Sequence, residues 1–233
     1  PAEMERRARA LGAQTGFPFE AALRGKDIAF ICEVKKASPS KGVIALEFPY
    51  RQIALDYEAA GAAAVSVLTE PAYFQGADAY LSVGIPVLRK DFTVDSYMIY
   101  EARTLGAAAV LLIAALLDGD TLRDYIGVAH SLGLSALVEA HTAEETEVAV
   151  KAGARIIGVN NRDLRTFQVD TGNCLRLRPL VPRSVLFVAE SGVRTAADID
   201  RLRAGGVDAV LVGETLMRAP DRKAALAALR GTP

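Results

Sequence analysis

The chain has 233 residues, 51% of them hydrophobic and 24% charged, with a net charge of −1 and an isoelectric point near 6.2. That length and apolar content suit one large core, and the balanced charge, with no basic stripe, argues against a nucleic-acid partner, whose affinity would rest on clustered Lys and Arg. Two histidines and two cysteines far apart in sequence, Cys32 and Cys174, fit no metal-ligand spacing, so neither a metal nor a membrane anchor is expected.

In chain order, Pro1–Leu11 reads as a helix, followed by an irregular lead-in containing Gly and Pro up to about residue 25. No opening stretch resembles a signal peptide, and the apolar run from Ala107 to Leu117 is shorter than the roughly 20 residues of a membrane span. The cytoplasm is therefore the expected compartment.

From residue 26 onward a phrase recurs: an amphipathic stretch, a Gly, then a short run of Val, Ile, Leu and Ala. It occurs at Gly61 (GAAAVSVL), Gly106 (GAAAVLLI), Gly133 (GLSALVE), Gly153 (GARIIGVN) and Gly206 (GVDAVLVG). Each Gly can supply the left-handed residue that ends a helix before a strand. The longer intervals hide two further strands, IPVLRK and SVLFVAE, and AFICEVK opens the series, giving eight strands. Near-continuous apolar runs mark parallel strands buried on both faces. Helices are expected over Tyr50–Ala60, Asp95–Leu105, Leu117–Leu132 and Thr142–Ala152, with an N-terminal cap at Thr195-Ala-Ala-Asp198. Eight β/α units favour an α/β class (β/α)8 TIM barrel: a single domain over 1–233, with 1–25 as N-terminal helix and lead-in and 26–233 as barrel.

In such a barrel the C-terminal strand ends carry function. Here they are polar almost throughout: Glu33 and Lys35, Thr69-Glu70, Lys90, Glu139, Asn160, Glu190-Ser191 and Gly213-Glu214; only the fourth strand lacks a polar end. Glu33 and Lys35 share a strand face and can both enter the mouth. Charges converging in a cup must be mutually paired, and their coupled titration suits acid/base chemistry. Any one of them alone could be a structural ion pair. Gly192 and Gly213, after strands seven and eight, stand where barrels commonly bind phosphate, although each alone could be a turn residue. The loop Ser38-Pro39-Ser40-Lys41-Gly42 could close over a ligand or simply lie on the surface. Phe74 and Phe92 could plug the core or face an aromatic substrate.

The segment from Glu33 to Gly42, with VSVLTE…YFQG, PVLRKDF, LVEAH, IGVNNRDLRTF, VAESGV and LVGETLMR, resembles the indole-3-glycerol-phosphate synthases from about Phe17 to Arg218. The resemblance implies a cofactor-free carboxy-lyase of tryptophan biosynthesis. Its substrate would be 1-(2-carboxyphenylamino)-1-deoxyribulose 5-phosphate, a small molecule, with other enzymes of that pathway as conceivable partners. It implies Lys90 as general acid, Lys35 at the substrate carboxylate, Glu139 as base in the dehydration and Glu33 as a polarising neighbour. Asn160 and Glu190 would orient hydroxyls and lysines. Ser191, Gly192 and Gly213, with the adjoining Glu214, would form the phosphate end; Arg162 and Ser38 the carboxylate and loop side; and Phe74 and Phe92 the ring contacts. Lys90 is expected to have a depressed pKa beside another cation.

Two departures from the family stand out. Only Ser-Val-Gly-Ile separates Leu81 from Pro86, where family members carry a fuller second helix. Either that helix is curtailed or residues are missing from the chain as written; the complete set of catalytic-type residues favours the second. The amino end also starts late, in a region that family members use to cover the mouth. Two other readings stay open. Phosphoribosylanthranilate isomerase would share the barrel but needs a Cys at the end of strand one, where this chain has Glu-Val-Lys. A phosphate-binding barrel without turnover would keep the pocket alone.

Overall fold

A computed structural model of the chain describes residues 1–163 and 165–231; Leu164, within the NNRDLRTF segment, and the last two residues lie outside the described residues. The eight apolar runs form β1 (Ala29–Val34), β2 (Ala64–Leu68), β3 (Val87–Lys90), β4 (Ala109–Ile113), β5 (Ser135–Ala140), β6 (Ile156–Asn160), β7 (Leu186–Glu190) and β8 (Ala209–Val212). Each pairs in parallel with its sequence neighbours, and β8 pairs with β1 to close the barrel. This is the (β/α)8 architecture expected from the sequence. The strands are buried on both faces because two separate cores need them. Residues of one parity, such as Ile31, Leu88, Leu111, Leu137 and Val188, fill the barrel interior. Their neighbours, such as Cys32, Val67, Leu112 and Val138, pack outward against the helices.

The helices follow the expected pattern: Tyr50–Ala59, Ser96–Thr104, Gly119–Ser131, Ala143–Lys151 and Ala196–Ala204. Thr195 and Asp198 form a reciprocal capping box. The five phrase-opening glycines all have φ between +74° and +86°, the left-handed conformation that lets each helix turn directly into the next strand.

Two parts differ from expectation. The lead-in is not wholly irregular, since Pro18–Leu23 forms a short helix. Nor do these residues approach the mouth. Gln14 N–H donates to the Leu132 carbonyl at 3.1 Å, and Glu20 N–H donates to Ser135 Oγ at 3.3 Å, both at the strand starts. Phe19 and Leu23 enter the barrel interior from below, where their burial closes the floor. The helix Ala2–Ala10 lies against Ser96–Thr104.

The second crossover is short. A single 3-10 turn, Asp78–Leu81, replaces the helix, and the chain runs through Pro86 into β3 with Val65 opposite Val87 and Leu68 opposite Lys90. Arg89 holds this turn: its guanidinium bonds Asp78 at 3.0 Å, Glu101 at 2.8 Å and the Met98 carbonyl at 3.2 Å. No helix among the described residues is long and apolar enough to cross a membrane.

Candidate active site

The strand ends open into a cavity of about 730 Å³ lined by Glu33, Lys35, Ser38, Lys90, Glu139, Asn160 and Glu190, and on its far side by Ser191, Gly192, Gly213 and Glu214. Phe74, Phe92 and Arg162 line it as well, so every residue that the resemblance assigned to the site faces one space, whereas Thr69, Lys41 and Gly42 do not line it. Period-two geometry explains why: Glu33, Lys90, Glu139, Asn160 and Glu190 all occupy inward positions in the last interior layer. Asn160 lies opposite Glu190 on adjacent strands, and Glu139 lies opposite Gly158.

Lys90 is the hub. Its Nζ lies 3.1 Å from Glu139 Oε2 and 3.6 Å from Glu190 Oε2. Asn160 Nδ2 donates to the other Glu139 oxygen at 3.2 Å, and Asn160 Oδ1 accepts from the Arg162 N–H at 3.0 Å. Lys35 pairs with Glu33 across the cup. Burial by itself would lower the Lys90 pKa, but Glu139, Glu190 and Glu33 outweigh it and hold the ammonium well above its ordinary value. The expected depressed pKa is therefore not what the site provides. The second cation, Lys35, is occupied by Glu33, and carboxylates surround Lys90 instead.

The two acids around Lys90 are driven apart. Burial opposes ionisation of Glu139, yet Lys90 and the Asn160 amide hold its carboxyl below the usual range. Burial pushes Glu190 up to about 8; Lys90 opposes this, but the charges of Glu139 and Glu33 add to it. A lysine and one carboxylate thus stay ionised beside a second carboxyl that keeps its proton at neutral pH, which gives the cup both proton donors and an acceptor.

Two glycines make room for these acids. A Cβ at Gly213 would overlap Glu33 Oε1, and one at Gly158 would overlap Glu190 Oε1. Gly158 had no place in the sequence reading, since a glycine in mid-strand carries no chemical signal of its own. At the far side, Ser191 and Gly192 are consecutive left-handed residues with φ of +66° and +88°. A Cβ on Gly192 would lie 2.7 Å from Thr171 Cγ2 and 2.8 Å from Val169 Cγ1. Asn161 Nδ2 fixes this turn by donating to the Ser191 carbonyl at 3.1 Å.

Phe74 and Phe92 stand 6.3 Å apart, ring centre to ring centre, on neighbouring loops. The Phe74 loop is shaped by Glu70, whose carboxylate accepts N–H bonds from Ala72 at 2.8 Å, Tyr73 at 2.6 Å and Phe74 at 3.1 Å. Glu70 therefore supports the loop rather than the cup. Ser38 lies opposite Gly42 in a small antiparallel pair, Ala37–Ser38 with Gly42–Val43, that folds the first loop beside the cavity. Three residues that the sequence reading did not assign also matter here. Asp91 accepts a 2.6 Å bond from Thr69 beside Lys90. His141 Nδ1 lies 2.7 Å from the Asn160 carbonyl. Arg218 meets Glu214 at 3.1 Å, a contact legible in hindsight from their i,i+4 spacing.

The model of the family described as indole-3-glycerol phosphate synthase matches residues 2–229. The chain belongs to the indole-3-glycerol phosphate synthase family. It is accordingly an enzyme of the carboxy-lyase class with that activity in tryptophan biosynthesis. The indole-3-glycerol phosphate synthase of Ruminiclostridium cellulolyticum is 61% identical over 221 residues, covering 93% of this chain and 85% of that one. That of Leuconostoc mesenteroides is 50% identical over 236 residues, covering 98% and 90%. Among solved structures, a mutant tryptophan synthase α-subunit from Pyrococcus furiosus superposes with a TM-score of 0.66 at 13% identity, covering 88% of this chain and 99% of that one. That likeness is one of fold alone. Glu33 and Lys35 at the end of the first strand face this cavity where the isomerase would need a Cys, which with the family match sets aside the isomerase reading.

Proposed function

We propose that this cup closes the indole ring of 1-(2-carboxyphenylamino)-1-deoxyribulose 5-phosphate, with Lys90 as the general acid. The observation that carries the reading is the position of Lys90 on the cavity wall, 3.1 Å from Glu139 and 3.6 Å from Glu190, across from the Lys35–Glu33 pair.

In the first step the ring carbon bearing the carboxylate attacks the ribulosyl carbonyl carbon. A carbon–carbon bond forms, and the carbonyl oxygen takes a proton from Lys90. Its raised pKa ensures that the proton is present at neutral pH, and the incoming oxygen competes with the Glu139 carboxylate for it. Positive charge develops on the anthranilate nitrogen as an iminium. The bond to the carboxylate then breaks, carbon dioxide leaves, and the bonding electrons neutralise that iminium, so the substrate supplies its own electron sink. Lys35 holds the carboxylate beforehand, with Arg162 and Ser38 on the same side. In the last step Glu139 takes the ring proton while Lys35, which shares proton donation with Lys90, protonates the new hydroxyl so that it departs as water, with Glu33 polarising its neighbours and Asn160 and Glu190 orienting the hydroxyls. Ser191, Gly192 and Gly213 receive the phosphate through backbone N–H groups, and Phe74 and Phe92 pack the aromatic ring.

The same reading places the chain in the cytoplasm, which cell fractionation would check. Association with other tryptophan-pathway enzymes is a further part of it, to be read by co-sedimentation of the purified proteins. The central test is to mix the protein with the substrate and follow indole fluorescence. The parent is expected to turn over, and Lys90→Ala to lose about 10²- to 10⁴-fold in kcat, the range for a general acid. A parent that binds without turnover, or a Lys90→Ala variant at full rate, would overturn the assignment.

A further inference from the structure

We propose that Glu214 is a built-in competitor for the anionic end of the substrate: its carboxylate engages the cations beside the phosphate turn and must yield them when the phosphate arrives. Three loops bring cations to this one side chain. Lys41, from the loop after β1, lies 3.7 Å from Glu214 Oε1. Arg162, from the loop after β6, lies 4.0 Å from Oε2. Arg218, one turn further along the chain, lies 3.1 Å from Oε1. Among the described residues Lys41 has no other ionic partner. Glu214, Arg162 and Arg218 line the same cavity as Ser191, Gly192 and Gly213.

A carboxylate in this place has a definite consequence for an anion. A phosphate monoester carries a charge of about −1.5 to −2 at neutral pH. As it approaches Gly213 and Ser191, it meets Lys41 and Arg218, which attract it, and one carboxylate that repels it and already partly neutralises them; Arg162, which serves the substrate carboxylate, is held by the same Glu214. The phosphate passes unchanged through ring closure, so the same carboxylate also favours release of the phosphate-bearing product. Glu214 is close enough to act but is not sealed in: about a third of its side chain is exposed, which leaves it free to swing aside. The pairs are half-exposed and individually weak. The role therefore lies in the charge that Glu214 adds to the site and not in locking the loops.

This inference rests on the phosphate end proposed above, and one experiment separates the two. Inorganic phosphate is titrated as a competitive inhibitor of the parent and of Glu214→Gln, at low salt and at about 0.5 M NaCl, alongside KM and kcat. Glutamine keeps the size and the bond to Arg218 but not the charge. The expected result is a phosphate inhibition constant and a KM both about three- to ten-fold lower in Glu214→Gln, with kcat not raised. The difference should shrink in high salt as the charge is screened. Glu214→Asp, which keeps the charge on a shorter side chain, should lower the inhibition constant less than Glu214→Gln does. An unchanged or higher inhibition constant in Glu214→Gln would overturn the competitor role while leaving the phosphate end intact. Phosphate that fails to compete even in the parent would overturn both.

Discussion

At Lys90 a proton is stored rather than loosened. Three carboxylates hold the ammonium above its ordinary pKa, and one of them, Glu190, is itself pushed up to about 8. The charge beside Lys90 therefore changes near that pH. Above it, Glu190 ionises, the hold on the Lys90 proton tightens, and donation slows. The kcat/KM of the parent is expected to fall on the alkaline side of about pH 8, and Glu190→Gln, which stays neutral, should lose that limb; a pH–rate profile of both proteins decides it. If the limb persists in the variant, it belongs to another group. Residue types and their order made the members of this cup legible in the sequence, because strand ends and period-two parity determine what faces the mouth. The sign of the Lys90 shift was not legible. It depends on which carboxylates end up nearest, and those come from β5 and β7, 49 and 100 positions away in the chain. Gly158 was hidden for the same reason, since its role is to leave space for a side chain on the next strand.

Among the elements, the short helix Pro18–Leu23 has the clearest mechanical task. Phe19 is fully buried and Leu23 nearly so, both inside the lower barrel. Glu20 ties the helix to Arg155, whose guanidinium also lies 3.9 Å from the Phe17 ring centre. Phe19→Ala should cost about 3–5 kcal/mol, the loss typical of a large buried aromatic, read as a lower denaturant midpoint. Because Phe19 sits at the end opposite the cup, kcat of the folded fraction should be unchanged; a large drop in kcat would show that the floor and the cup are coupled. Periodicity and caps revealed the long helices, whereas a six-residue helix is too short for a periodic signal. At the second crossover the four residues 82–85 are too few for a helix, and Arg89 supplies the polar anchorage for the one 3-10 turn, Asp78–Leu81, that precedes them.

Over the whole molecule, stability and chemistry occupy opposite ends of one barrel. The lower interior is Ala, Ile, Leu, Val and Phe, while the upper layer gathers Glu33, Glu139 and Glu190 around Lys90. Packing like charges together costs stability in a pH-dependent way. In the unfolded chain Glu190 titrates at an ordinary carboxylate value, but in the folded state it does so at about 8. Between these values the folded state holds a proton that the unfolded state has lost. Stability therefore falls as pH rises through that window and levels off above it. Thermal melts should show Glu190→Gln gaining on the parent from about pH 5 to about pH 8, with a constant difference beyond; a difference independent of pH would refute this account. The sequence by itself determined the barrel, the order of its strands and the polar residues at their ends, because burial on both faces and the left-handed glycines are written locally, residue by residue. Only the tertiary structure decided which charge faces which, where the amino-terminal residues pack and how the second crossover closes, because those depend on distances between segments that the chain keeps far apart until the barrel is shut.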